Sequence, residues 1–506
     1  MKMARVSFWL LLVAGWSGGI SADANGTAPP TTVISHGFQL SGTVPDWPYA
    51  LADAIARRAG AEGGADGRVY VYEPATGDLS ACQEVWCTTS GVGHTVIVFD
   101  WADDSNEEGA GFSEAAAAAL FAGLLTWSQE PSPVVDLDRL HFIGHSRGTV
   151  VNSEVAERLI AAGLPPPVQV TTLDPHDAGG AFLAQNLDAG GLDDYDVNWE
   201  HPEYDCHAQS STPGVCSWIG TGYNDNYWQN DSACLFIYPR GMELYGVANF
   251  HQNALDDPFC HSDTHRWYLL TADTDALTHP VTGNPPGVDW YGSGTDCSTI
   301  QRTTPLARTA DGYNLSETGA GTANRCPAGP NSLQQVLFDF GLQEGLVNGD
   351  FERIRAGQEQ AGWSFHGGAM QASLGADTDN YLILQGGEWA RHNRFHLPAA
   401  TKAIQLCRKV AAASPSDLLS MLISSAGAAD REMLTPAQQT VSAAADWDCL
   451  EAAVLPSETG KTAQIQLSLT NSANPTVFID DIRLFVPIFE DGFENGETSA
   501  WSATMP

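Results

Sequence analysis

The chain has 506 residues and a formal net charge of −38, from 61 acidic against 23 basic side chains. So acidic a surface repels phosphate backbones and anionic headgroups, which argues against nucleic acid as a partner. The length exceeds one ordinary core and predicts more than one domain.

At the start, Lys2 and Arg5 precede a short apolar run, Phe8 to Trp16, and Ala22-Asp23-Ala24 offers a small-x-small cleavage site. Residues 1–24 therefore read as a secretory signal, and the expected location is secreted, extracellular or periplasmic. No later stretch reaches about 20 apolar residues, so no transmembrane segment is expected after signal cleavage. The ten cysteines agree with export. In chain order they fall as Cys82/Cys87, Cys206/Cys216, Cys234/Cys260, Cys297/Cys326 and Cys407/Cys449, although sequence alone does not determine their pairing. No Cys-x-x-Cys is present, which speaks against a zinc ribbon or a thioredoxin-like site. No lysine lies between Lys2 and Lys402, so Schiff-base chemistry and a Walker-type phosphate loop are excluded from that span.

Strand-like runs at Thr31 to Ser35, Arg68 to Tyr72, Thr95 to Phe99, Leu140 to Ile143 and Val168 to Leu173 come first. They alternate with helix-like Trp47 to Gly60, Ser113 to Glu130 and the segment after Gly148. This alternation predicts an α/β unit with a mostly parallel sheet and helices on both faces. Ligands of such sheets bind beyond the carboxyl ends of the strands. His36, Asp100, Ser146 and Asp174 stand at or just past those ends. From Asp177 to about Phe340 the chain is loop-rich and holds most of the cysteines. It reads as insertions around the site plus one or two further sheet elements, with Leu235 to Tyr238 a strand candidate. After Gly341 the texture changes to short alternating runs at Tyr381 to Leu384, Lys402 to Leu406, Leu418 to Ile423, Ala463 to Leu469 and Thr476 to Phe485, the pattern of a β-sandwich. The expected division is an α/β domain over 25–340, a sandwich over 341–487 and a tail over 488–506.

Acyl transfer needs a nucleophile, a base, an acid that orients the base, and donors for the oxyanion. Ser146 sits in Gly144-His-Ser-Arg-Gly148, between a strand and a helix, the context that holds a serine out on a sharp turn. Asp174 is the acid candidate, ahead of Asp177 and Asp100. The order Ser, Asp, His is the one α/β-hydrolases use. His261 is the first candidate for the base: it follows Cys260 on a loop that runs into helix-like Trp267 to Ala272. His265 is its rival, ahead of His176, His201, His207, His251 and His279. A strand ending in His36-Gly37 aims the N–H of Phe38 at a substrate carbonyl, and the N–H of Arg147 is the second oxyanion donor.

The stretch from about 30 to 275 resembles α/β-hydrolases of the pancreatic-type lipase family. The matching pieces are His36-Gly37-Phe38, Phe99-Asp100-Trp101, Ile143-Gly-His-Ser146-Arg-Gly148, Leu173-Asp174-Pro175 and Cys260-His261. The resemblance implies an α/β-hydrolase fold, a Ser146–Asp174–His261 triad, oxyanion donors at Phe38 and Arg147, and a disulfide-closed lid between Cys234 and Cys260, a segment that reads equally as a stapled surface loop. Arg147, where that family usually has a small or apolar residue, and Cys260, directly against His261, depart from the pattern. Asp174-Pro-His-Asp, Asn224-Asp-Asn-Tyr-Trp228 and His261-Ser…Trp267-Tyr268 resemble, more closely, a group of exported bacterial hydrolases. The last third is similar to carbohydrate-binding jelly rolls, on Asn348-Gly-Asp-Phe-Glu352 and Asp480-Asp-Ile-Arg-Leu484. That likeness implies a carbohydrate or surface ligand and a structural calcium held by Glu352 and Asp481. Trp363, Trp389 and Trp447 either stack on sugar rings or fill the core. No cofactor is expected for catalysis.

The expected function is a secreted serine hydrolase of carboxylic esters, lipid esters among them. An amidase or peptidase on the same triad, and a non-catalytic binding protein on a hydrolase fold, are the alternatives.

Overall fold

The structure, a computed structural model, describes residues 28–39, 42–61, 65–106, 112–162, 164–175, 221–229, 241, 244, 247–252, 260–273, 312–317, 319, 321–322, 325, 362–366, 369–371, 381–397, 401–412, 417–425, 429–441, 447–470 and 475–485. The expected signal, the boundary near 340, the tail, Asp177, the Leu235 to Tyr238 strand, most of the Cys234 to Cys260 loop, and His176, His201, His207 and His279 lie outside the described residues.

The first part is built on an eight-stranded sheet. In chain order its elements are β1 (Thr31–Ser35), α1 (Asp46–Ala61), β2 (Arg68–Glu73), β3 (Asp78–Ala81), β4 (Thr95–Phe99), α2 (Ala102–Ser105), α3 (Phe112–Ser128), β5 (Leu140–His145), α4 (Gly148–Ala161), β6 (Gln169–Leu173), β7 (Tyr223–Trp228), β8 (Ala248–His251) and α5 (Cys260–Ala272). The strand order is β3-β2-β4-β1-β5-β6-β7-β8. β3 runs antiparallel to β2, and every other neighbouring pair is parallel.

β1, β4, β5 and β6 are buried at every residue. Strands covered on both faces need apolar or small side chains throughout, which explains runs such as Thr95 to Phe99. Successive side chains then divide between the two faces. Val33, Ile97, Phe99 and Phe142 pack with α3 and α4. Ile34, Val96, Val98 and Ile143 pack with α1 and α5.

α3 is alanine-rich and buried along almost its whole length. A helix apolar all round must be covered from both sides. Its second cover comes from the C-terminal strands. Thr462 Oγ1 donates to the carbonyl of Ala122 at 2.7 Å and lies 2.7 Å from Thr126 Oγ1, while His396 meets Phe121 edge-on at 5.7 Å.

Those strands form two antiparallel sheets around a shared core. One sheet has the order β10 (Ala369–Gln371), β11 (Tyr381–Gln385), β19 (Thr476–Phe485), β14 (Ala403–Ala412), β17 (Asp448–Ala453). The other has the order β16 (Arg431–Glu432), β15 (Leu419–Ser425), β18 (Lys461–Leu469), β12 (Trp389–His392), β9 (Trp363–His366), with β13 (Phe395–Leu397) also paired to β18. β15 alternates strictly between buried and half-buried residues, as a strand with one face in a core should. The Cys407–Cys449 disulfide joins β14 to β17, and Cys82–Cys87 closes a short loop after β3. Each of the other three neighbour pairs includes a cysteine outside the described residues. Among the described residues no helix is long and apolar enough to cross a membrane.

Two points differ from the sequence reading. His261 lies not on a loop before the helix but in the first turn of α5, which begins at Cys260. Cys-His-Ser-Asp-Thr-His is poor in helix formers, yet Asp263 complements the positive end of the helix and pairs with Arg266 at 3.0 Å. The further sheet elements expected after Asp177 include β7, whose Tyr-Asn-Asp-Asn-Tyr-Trp sequence reads as a loop. Asp225 and Asn226 are buried, and they find partners on the neighbouring strands. Thr171 Oγ1 donates to Asp225 at 2.7 Å, Thr172 Oγ1 to Asn226 at 2.8 Å, and Asn226 Nδ2 to Asn249 at 2.7 Å.

Buried histidines in this sheet tie its stability to pH. His94 shares a 2.8 Å hydrogen bond with Thr32, and His141 a 2.9 Å hydrogen bond with Thr171. Burial lowers His94 to about 3 and drives His141 well down too. The unfolded chain, with ordinary imidazoles, binds more protons, so their stabilisation is complete above about pH 6.5 and is lost as pH falls toward the folded values. Asp225, raised to about 6 by burial, acts in the opposite sense. Denaturant unfolding at pH 7.5 and 4.5 should show less loss of stability in a His94→Gln/His141→Gln double variant than in wild type. Equal losses would exclude these two groups as the source.

Candidate active site

Ser146 follows the last residue of β5 and has φ 55°. A side chain rarely adopts that left-handed conformation, and the surroundings must hold it there. The Ser146 N–H donates to the carbonyl of Leu173 at 3.0 Å, and its carbonyl accepts from Thr149 Oγ1 at 2.6 Å. Gly148 packs so close to β1 that a Cβ would lie 2.3 Å from the Ser35 carbonyl oxygen. A Cβ on Gly37 would lie 2.5 Å from Ser146 Cβ and 3.0 Å from its Oγ. The end of β1 therefore runs directly beside the serine, which brings Phe38 into the same neighbourhood. Ser35 Oγ donates to Asn152 on α4 at 2.7 Å and fastens the two elements together.

Arg147 is the N-cap of α4, where backbone N–H groups have no partner within the helix. Its side chain turns inward and is buried. Nε donates to Ser113 Oγ at 3.0 Å, and Nη1 to the Ser105 carbonyl at 3.3 Å. The guanidinium lies 5.8 Å from the Trp101 ring. Trp101 Nε1 donates to the His36 carbonyl at 2.9 Å and stacks on the His36 ring. The unusual arginine thus braces the segment that carries one expected oxyanion donor against the segment that carries the other.

Asp174, past the end of β6, also has a positive φ, 48°, and is fully buried. His261 Nδ1 donates to its Oδ2 at 2.6 Å. The Gln229 N–H donates to Oδ1 at 2.9 Å, and Gln229 Nε2 donates to Oδ2 at 2.8 Å. The Gly241 N–H donates to the same carboxyl. Burial lifts the Asp174 carboxyl to about 7, and the Gln229 and Gly241 donors oppose that lift. Burial holds His261 well below its ordinary value, so its ring is a neutral base. With Nδ1 committed to Asp174, Nε2 is the nitrogen left to take a proton.

Of the rivals, His265 stacks on Trp47 at 4.4 Å, and His251 stacks on Trp228 at 4.1 Å. Asp100 accepts from the Ala102 N–H at 3.3 Å, at the start of α2. Gln229 and Gly241 escaped the sequence reading, and Trp101 and His145 entered it only within motifs, without a role. Gln229 directly follows β7 and was legible only by first recognising that polar segment as a strand.

Glu352 lies outside the described residues, and Asp481 lies on β19. Among the described residues no group of three or more His, Cys, Asp or Glu side chains gathers as a metal site would require. Trp363 is in the sandwich core and Trp389 is half-buried, while Trp447 is 42% exposed.

No protein-family model matches the chain, and no curated protein matches it. Solved structures similar to part of it include a family 61 carbohydrate-binding module in complex with β-1,4-galactotriose, at 16% identity over 28% of this chain and 98% of that one, with a TM-score of 0.23. Another is the CBM22-1 xylan-binding domain from Paenibacillus barcinonensis, at 14% identity over 26% and 97%, with a TM-score of 0.19. A third is the K1 cleaved adhesin domain of Lys-gingipain from Porphyromonas gingivalis, at 12% identity over 25% and 92%, with a TM-score of 0.21. Scores this low carry no functional argument.

Gln229→Met keeps the side-chain volume but removes one donor to a buried carboxylate. It should cost about 2 kcal/mol of stability, the usual range for a hydrogen bond to a charged group, measured by denaturant unfolding. A change below about 0.5 kcal/mol would mean that Asp174 does not depend on that side chain.

Proposed function

We propose that the chain is a secreted serine hydrolase of carboxylic esters, on an α/β-hydrolase fold, with Ser146, Asp174 and His261 as its triad. The observation that carries this reading is the buried 2.6 Å hydrogen bond between His261 and Asp174 at the carboxyl end of the parallel sheet. It is joined there by Ser146 on a strained strand-to-helix turn. Ser146 Oγ attacks the ester carbonyl and gives its proton to His261 Nε2. Asp174 holds the imidazole in the Nδ1–H tautomer and stabilises its cation. The N–H groups of Phe38 and Arg147 hold the oxyanion, each such donor typically contributing roughly 3 kcal/mol to transition-state binding. His261 protonates the leaving alkoxide. Water then attacks the acyl group on Ser146, losing its proton to His261, which passes it to Ser146 Oγ as the acid departs. The two disulfides among the described residues fit an oxidising compartment.

A fluorophosphonate probe on the mature oxidised protein tests this. Wild type should label at a single site, while Ser146→Ala should not label and His261→Ala should label at least about a hundredfold more slowly. Folded wild type that does not label would favour the binding-protein alternative. Cleavage of peptide substrates but not p-nitrophenyl esters would favour the amidase.

For the sandwich we infer a jelly-roll module that binds carbohydrate. Exposed Trp447 lies 6.2 Å from Tyr381, which meets Phe478 at 5.1 Å, so three aromatic rings gather at one place on a sheet. Apolar sugar faces pack on such rings. Calorimetric titration of the full chain with xylo- and galacto-oligosaccharides should show binding that weakens about tenfold or more in Trp447→Ala. Unchanged affinity in that variant would remove the aromatic group from the reading.

A further inference from the structure

We propose that His145 is a positioning residue for the hydrolysis, tying the strand that presents the nucleophile to the backbone of the base itself. This rests on the serine-hydrolase reading above. His145 is the last residue of β5 and immediately precedes Ser146. Its Nε2 lies 2.9 Å from the backbone carbonyl oxygen of His261. A carbonyl only accepts, so the hydrogen bond requires a proton on Nε2. Burial lowers the ring to about 3, which keeps it neutral near pH 7, and the carbonyl selects the Nε2–H tautomer.

The ring has little freedom to leave this position. The His261 ring lies 4.5 Å away, tilted by 41°, and His265 meets it edge-on at 4.6 Å. Trp47 closes a third side at 5.6 Å and itself stacks on His265. His145 is 6% exposed.

The arrangement answers a geometric need. Ser146 and His261 are far apart in sequence and come from separate elements, β5 and α5. The hydrogen bond to Asp174 orients the His261 ring, but Asp174 stands on a third element, the end of β6. One anchor at Nδ1 leaves the ring able to swing about that bond. A second anchor, at the carbonyl of the same residue and from the neighbour of the nucleophile, sets the base relative to Ser146. A displacement of about 1 Å in such a pair can cost on the order of a hundredfold in rate.

The test compares the full-length oxidised wild type with His145→Leu, which removes the donor, and His145→Gln, whose amide N–H restores one at similar reach. Wild-type and Ser146→Ala protein labelled by fluorophosphonate run alongside. Wild-type labelling that is lost in Ser146→Ala upholds the hydrolase reading independently of His145. On that footing, His145→Leu should lower kcat on a p-nitrophenyl ester by about ten- to a hundredfold, with KM within about twofold, and His145→Gln should return most of the loss. A folded His145→Leu with wild-type kcat overturns the proposal, as does equal impairment of both variants. If His145→Leu does not fold, 15N spectra of histidine-labelled wild type decide instead, with the His145 resonances assigned by their loss in His145→Gln. A proton on Nε2 supports the hydrogen bond, and a proton on Nδ1 overturns it.

Discussion

The hydrogen bond from His261 to Asp174 is the interaction on which the arrangement of the site depends. Asp174 is fully buried, where an unpaired carboxylate is costly. Its acceptor capacity is filled by His261, by both donors of Gln229 and by Gly241. Those donors come from the first turn of α5, the end of β7 and a residue well beyond it. Satisfying one carboxyl therefore gathers three distant parts of the chain at one end of the sheet. The proposed chemistry uses the pair that this gathering creates.

A second constraint is steric and acts on the other side of Ser146. Gly37 and Gly148 let the end of β1, the serine turn and the start of α4 approach more closely than any side chain would permit. Behind them, Arg147 and Trp101 fill the space with hydrogen bonds to Ser113, to Ser105 and to the His36 carbonyl. In the sequence Arg147 looks out of place after a nucleophile. In the fold its guanidinium is committed to Ser113 and Ser105, and its backbone caps the start of α4.

The sandwich is also part of the stability of the α/β unit. α3 has no polar face to offer to water, and Thr462, His396 and their strands cover the side that the parallel sheet and α4 leave bare. An alanine-rich helix of this kind is consistent with a chain whose two parts are packed together rather than strung on a free linker.

The regular elements were legible where apolar and β-branched runs mark them. β1, β4 and β19 occupy the residues expected of them, because β-branched and apolar runs have few other stable arrangements in water. The placement of His36, Asp100, Ser146 and Asp174 at strand ends followed from the same runs. β7 and the first turn of α5 were not legible, because their polar residues are stable inside only when particular partners on other strands and helices are present. The amino-acid sequence by itself determined the alternating α/β pattern, the serine turn and the candidate residue types. Tertiary structure alone decided that His261 rather than His265 bonds Asp174, that Gln229 supports it, and that His145 reaches the backbone of His261. These are contacts between residues dozens of positions apart, and their energies depend on distance and burial, which local sequence does not contain.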